Sequence, residues 1–266
     1  MLLDCFTFFN ELDILEGRLE YLYDVVDYFI ISETNITHSG KPKPLTYLNN
    51  IERFSKYSNK ILYSPFAANT ENLDFSIIPT SVDSNSSHWK MENIQRNHIG
   101  KMTKMFSPDT FVMVSDVDEI PNKALILVAI NEINKKTAGS IVFEQEFFYY
   151  NFNQKKSAPW RGTVIATNQD IQTHSPQWFR DIRWNMPVIQ NAGWHLSYWG
   201  SPEKVATKIK SFAHQEFNTP ETTDFIKIQQ KILSGTDPFN DTKLTKTDID
   251  NIPKDVYKIF NKGNLI

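Results

Sequence analysis

One stretch limits the folds open to this chain more than any other: Phe111-Val112-Met113-Val114-Ser115-Asp116-Val117-Asp118-Glu119-Ile120-Pro121. Four apolar, mostly β-prone residues run straight into three carboxylates, Asp116, Asp118 and Glu119. A continuous apolar run of this kind reads as a strand buried on both faces, as in parallel sheets covered by helices. Parallel strands offer ligands their carboxyl ends, in the crevice beyond the sheet, and here that end is acidic. On an extended chain Asp116 and Asp118 point to the same side. Their charges repel, which drives one of them toward protonation. A divalent cation removes the repulsion, and oxygen ligation selects Mg²⁺ or Mn²⁺, ions commonly shared with substrate phosphates. Pro121, which cannot donate to a ladder, is expected to stop the strand. The alternative reading is a solvated acidic turn after a buried strand.

The chain before this stretch opens as a βαβ unit. Leu2 to Phe9 reads as a strand, and Leu12, Leu15, Leu19, Leu22 and Val26 form one helical stripe. A second strand follows from Tyr28 to Ser32, so a right-handed crossover is expected. Glu11 and Glu33 fall just past the strand ends, where a carboxylate either caps a helix or reads the base and ribose of a nucleotide. Asn69 to Ser87 is polar and aperiodic and reads as a loop. The helix from Trp89 to Met105 carries Arg96, a guanidinium that can grip phosphate with two hydrogen bonds or lie on the helix surface.

Beyond Pro121, a helix over Lys123 to Lys136 leads to a strand over Gly139 to Phe152. Glu144 and Glu146 share one face of that strand. They are either a general base or the acidic face of an edge strand, since a buried carboxylate is costly unless paired or used. Trp178, Arg180, Arg183 and Trp184 interleave aromatic and cationic groups, a pattern that stacks on sugar rings or packs half-buried. His195, in an aromatic strand, is a third metal ligand or a core residue. A helix over Pro202 to Phe212 carries Lys204, Lys208 and Lys210, with His214-Gln215-Glu216 after it. The polar tail from Gly235 to Ile266 has one short helix near Val256.

The length of 266 residues suits one large α/β domain, and 40% apolar content supplies its core. A net charge of −3 gives no reason to expect nucleic acid or an anionic membrane as a partner. Cys5 is the single cysteine, which excludes an internal disulfide; inside an apolar strand it reads as a buried, inert thiol. No apolar run is long enough to span a bilayer, and Met1-Leu2-Leu3-Asp4 lacks the basic start of a signal peptide. A soluble, cytoplasmic protein is expected.

Five segments, in order, resemble glycosyltransferase family 17. They are Asp4-Cys5-Phe6-Thr7-Phe8-Phe9-Asn10-Glu11-Leu12-Asp13 (with Leu15, Glu16, Arg18 and Leu19 beyond), Ser39-Gly40-Lys41-Pro42-Lys43-Pro44-Leu45, Ser115 to Pro121, Gly193-Trp194-His195-Leu196-Ser197-Tyr198 and Lys210-Ser211-Phe212-Ala213-His214-Gln215-Glu216. The resemblance implies a single α/β domain of GT-A type over 1–235, a Rossmann-like mixed sheet flanked by helices. About 1–121 would serve the nucleotide-sugar and about 122–235 the acceptor, with 236–266 a C-terminal extension packed on the domain. It also implies inverting, metal-dependent transfer of N-acetylglucosamine from a UDP-sugar to a hydroxyl of a glycan acceptor. On that reading Asp116, Asp118 and His195 hold Mn²⁺ or Mg²⁺, with Asp116 also serving the nucleotide-sugar. Phe8, Asn10, Glu11 and Glu33 contact the nucleoside, while Arg96, Lys208 and Lys210 meet the diphosphate. The acceptor proton goes to Glu146, Glu144 or Glu216, in that order.

Two other functions fit part of the pattern. A nucleotidyltransferase acting on sugar phosphates usually carries a glycine-rich phosphate loop after its first strand. This chain has Phe8-Phe9-Asn10-Glu11 there. A non-catalytic carbohydrate-binding protein would use the aromatics between Trp178 and Trp199 and need neither metal nor nucleotide.

Overall fold

Alternation along the first strand decides which helix covers which face. In the computed structural model, which describes residues 1–262, every residue of β1 (Leu2–Thr7) is buried. Leu2 and Phe6 face one hydrophobic layer and Leu3 and Cys5 the other. The first layer takes Leu15, Leu19 and Leu22 of α1 (Leu12–Leu22). Asp4 lies on that same face by the two-residue period and is fully buried.

The remaining elements follow in the order β2 (Tyr28–Thr34), α2 (Thr46–Asn49), β3 (Ile61–Phe66), α3 (Ser87–Thr103), β4 (Phe111–Asp116), β5 (Glu119–Pro121), α4 (Lys123–Asn134), β6 (Ser140–Tyr149), β7 (Gln154–Lys155), β8 (Trp160–Thr167), α5 (Asn168–His174), α6 (Pro176–Ile182), β9 (Val188–Ile189), β10 (Gly193–Ser197), α7 (Pro202–Ser211), α8 (Phe225–Ser234), β11 (Thr245–Lys246) and α9 (Lys254–Phe260). Among the described residues these strands form one mixed sheet. Its first half, β3-β2-β1-β4, is parallel throughout. β8 then runs antiparallel to both β4 and β6. Helices α1, α4 and α9 pack on one face, and α3, α5 and α6 on the other. The sheet is the mixed, helix-flanked one expected for this chain.

Three local expectations are corrected. Strand β4 ends at Asp116, and Val117-Asp118 is a turn, so the strand pleat does not set the direction of Asp118. Pro121 does not end the sheet here: it closes β5, which pairs antiparallel with β10 (Gly193↔Pro121). That pairing brings backbones so close that a Cβ at Gly193 would sit 2.1 Å from the Ile120 carbonyl oxygen, and Gly193 has φ +142°, a backbone that glycine tolerates. Finally, β6 is not an edge strand, because it pairs with β7, β8, β9 and β10. Within 236–266, Val256 and Phe260 of α9 join the first hydrophobic layer; residues 263–266 lie outside the described part. Among the described residues no helix is long and apolar enough to cross a membrane.

Candidate active site

The acidic turn after β4 is held from below by one arginine. Arg18, on α1, is fully buried beside fully buried Asp4. Its Nε and one terminal nitrogen each donate to Asp4 at 2.7 Å, the bidentate geometry that makes such pairs strong. The same guanidinium donates to Ser115 Oγ and to the carbonyls of Asp116, Val117 and Glu119. Asp4 therefore aims Arg18, and Arg18 fixes the backbone of the whole turn.

Side chains of β4 alternate, so Ser115 faces α1 and Asp116 faces α3 and α6. Asp116 Oδ1 accepts from Arg96 at 2.7 Å and from Thr7 at 3.0 Å, and Oδ2 accepts from Arg180 at 3.1 Å. Burial opposes its charge, but Arg96 and Arg180 hold its pKa well below the usual carboxylate range. Arg180 also grips buried Glu119 through both terminal nitrogens, at 2.7 and 2.8 Å, and Trp160 donates to Glu119 at 2.6 Å. Asp118 keeps different company. Its Oδ2 accepts from Lys208 at 2.5 Å, and its Oδ1 lies 3.5 Å from His195 Nε2. Burial again works against ionisation, and Lys208 and then His195 outweigh it, pulling the Asp118 pKa far down. Lys208 is raised in turn by Asp118 and Glu11 despite its own burial.

These groups line a cleft of about 1140 Å³. Phe8, Glu11, Arg96, Asp116, Asp118, His195 and Lys208 all reach it. Asn10 lines only a smaller adjoining cavity of about 270 Å³, which Glu11 and Lys208 share. Other candidates stand apart from the cleft wall. Glu33 is fully buried and saturated by Lys43, the Thr46 and Tyr47 amides and the Tyr63 hydroxyl. Lys210 is exposed on the far side of α7. Glu146 pairs with Lys155 at 2.8 Å, and Glu144 lies opposite Arg161 in the β6–β8 register. Glu216 connects to the cleft indirectly: it binds Nδ1 of His214 at 2.7 Å, and His214 is a lining residue.

Asp118 and His195 are the donors placed for a divalent cation. His195 Nδ1 is buried without a hydrogen-bond partner, while Nε2 of the same ring faces Asp118. A cation shared with Asp118 would take Nε2, 3.5 Å from Asp118 Oδ1, and not the unpartnered Nδ1; a carboxylate and an imidazole nitrogen are donors that fit Mn²⁺ or Mg²⁺. Asp116 is a poorer donor, because both its oxygens are engaged by arginines and Thr7. Among the described residues no set of three or more His, Cys, Asp or Glu converges to hold an ion alone. Substrate oxygens and water would have to complete the shell, as is usual for such ions at phosphate sites.

Several residues that build the cleft wall have little or no signal in the sequence. Arg18 and Asp4 left one signal: a carboxylate inside an apolar strand needs a buried partner. The aromatic and cationic pattern around Arg180 suits sugar binding or half-buried packing and gives no sign of the carboxylate clamp the fold makes of it, and no local pattern marks Glu119 or His214.

Parallel strands ending on a charged turn over a deep, partly apolar cleft define an α/β protein with its ligand site at the carboxyl edge of the sheet. The chain belongs to glycosyltransferase family 17, whose model matches residues 1–244. It is 22% identical to the β-1,4-mannosyl-glycoprotein 4-β-N-acetylglucosaminyltransferases of Rattus norvegicus and Homo sapiens over 238 residues, or 78% of this chain. It spans only 42% of the length of these relatives. Among solved structures, S. aureus TarS 1-349 in complex with UDP-GlcNAc is similar at a TM-score of 0.44 and 11% identity, covering 78% of this chain and 64% of that one.

Proposed function

We propose that this chain is a GT-A-type glycosyltransferase. It moves a sugar from a UDP-sugar to a hydroxyl of a glycan acceptor by an inverting, in-line displacement. The name shared by its relatives supports N-acetylglucosamine as that sugar. The observation that carries the reading is the cleft wall where Asp118, only 4% exposed at its side chain, faces both Lys208 and His195. Asp118 and His195 would hold Mn²⁺ or Mg²⁺, which neutralises charge on a leaving diphosphate. Lys208 binds the same diphosphate, with Glu11 3.4 Å away limiting its swing. Arg96 and Arg180 serve by fixing Asp116 and Glu119. Phe8 and Glu11 line the nucleoside end, and Glu33 positions the loop through Lys43.

The acceptor proton goes to His214 rather than to Glu146 or Glu144, whose side chains stay off the cleft wall. Glu216 binds Nδ1 and so leaves Nε2 of His214 to take the proton, the arrangement of an oriented general base. His214→Gln should lower kcat about a hundredfold or more while KM for the UDP-sugar stays near the wild-type value. A kcat near that of the wild type would hand the proton to another group. The donor reading is tested by thermal unfolding with UDP, GDP and CDP in Mn²⁺. UDP at about 100 times its Kd should stabilise the fold by about 2.7 kcal/mol. If UDP gives no shift and releases no product from UDP-N-acetylglucosamine, the transferase reading is wrong.

A further inference from the structure

We infer that the cleft holds a second anion-binding subsite, centred on Arg183, and that the acceptor sugar carries an acidic group, a carboxylate or a phosphate. This rests on the transferase reading above. The cations lining the cleft are otherwise matched: Lys43, Arg96, Lys156, Arg180 and Lys208 each face a carboxylate at 2.7 Å or closer. Arg183 lines the same cleft, yet among the described residues it makes no ion pair. One of its terminal nitrogens donates to the Arg180 carbonyl, and its Nε is buried without a partner. Burial first, and then the neighbouring Arg180, pull its pKa down to about 10, outweighing the opposing charges of Glu119 and Asp116.

The guanidinium is nevertheless held in place. It lies 5.2 Å from the Trp160 ring centre and 5.6 Å from that of Trp184. Arg161 stacks 5.5 Å from the same Trp184 ring and likewise makes no ion pair among the described residues. Two unneutralised arginines therefore flank one exposed indole. Stacking desolvates a guanidinium and fixes its plane, and its fork matches a carboxylate or phosphate. The location separates this subsite from the donor's diphosphate. Trp160 stands between Arg183 and His195, whose ring centre is 5.1 Å from that of Trp160. An anion at Arg183 is thus one indole away from the Asp118–His195 corner.

The test titrates the full chain, saturated with UDP and Mn²⁺, with glucuronate, glucose 6-phosphate and neutral glucose, following tryptophan fluorescence. At least one acidic sugar should bind about tenfold or more tighter than glucose, and Arg183→Met should abolish the difference. Trp184→Leu, at an exposed position, should weaken it in a protein whose fold is undisturbed, which guards against a misfolded Arg183 variant. A preference for only one acidic sugar supports the subsite and names its ligand. The inference is overturned if wild type shows no preference, if the preference survives both substitutions, or if Arg183→Met weakens UDP by the same factor, since the arginine would then serve the donor. Failure to bind UDP with the acidic preference intact would remove the transferase reading and leave the anion subsite standing.

Discussion

Replacing Asp118 with Asn should lower kcat for sugar transfer on the order of a thousandfold or more, while the protein stays folded. The side chain keeps its size but loses the charge that faces Lys208 at 2.5 Å and His195 at 3.5 Å. Among the described residues Glu11, at 3.4 Å, is then the remaining ion-pair partner of Lys208, and the proposed cation loses its carboxylate. The measurement is steady-state transfer from UDP-N-acetylglucosamine across a Mn²⁺ titration, with thermal unfolding as the control. A shift in the Mn²⁺ requirement together with the fall in kcat points to Asp118 as a ligand. A fall in kcat alone points to Lys208 as the group that Asp118 must hold. A variant that turns over near the wild-type rate sinks the site as drawn.

The second large effect lies beneath the site. Arg18→Met should cost about 3–5 kcal/mol of stability, the cost of leaving one partner of a buried ion pair uncompensated. Asp4 would remain at 0% exposure without its cation, and three carbonyls of the acidic turn would lose their donor. Urea unfolding measures the loss. The double variant Asp4→Leu/Arg18→Met should regain most of it, because removing both partners also removes the stranded charge. Transfer activity should remain low in the double variant, since the turn carrying Asp118 has still lost its brace. If the double variant regains both stability and activity, Arg18 serves the core alone. If the single variant unfolds at the wild-type urea concentration, the ion pair is not the support described here.

The contrast between these two residues shows what could be read in advance. Asp118 stood in a run of apolar residues ending in carboxylates, so both the strand and its acidic end were visible in eleven consecutive residues. Arg18 was visible only as one charge on an amphipathic helix. Its role depends on carbonyls up to 101 residues away, and no local period encodes such a contact. The surroundings of Glu144 and Glu146 were out of reach of the sequence for a related reason. Sharing a strand face says they lie together, but the partners of β6 decide whether that face meets the cleft.

The sequence by itself determined the parallel opening of the sheet, the stripe of α1, the acidic end of β4 and the family, because strand and helix periods and the order of motifs are properties of neighbouring residues. Tertiary structure alone decided that Asp116 goes to two arginines while Asp118 goes to Lys208 and His195. Those arginines come from α3 and α6, Lys208 from α7 and His195 from β10. They meet only because β4 ends one residue before a turn, and β10 is drawn beside that turn by pairing with β5 and β6. Two aspartates a single residue apart are thereby given opposite neighbours, which long-range packing can do and a local repeat cannot.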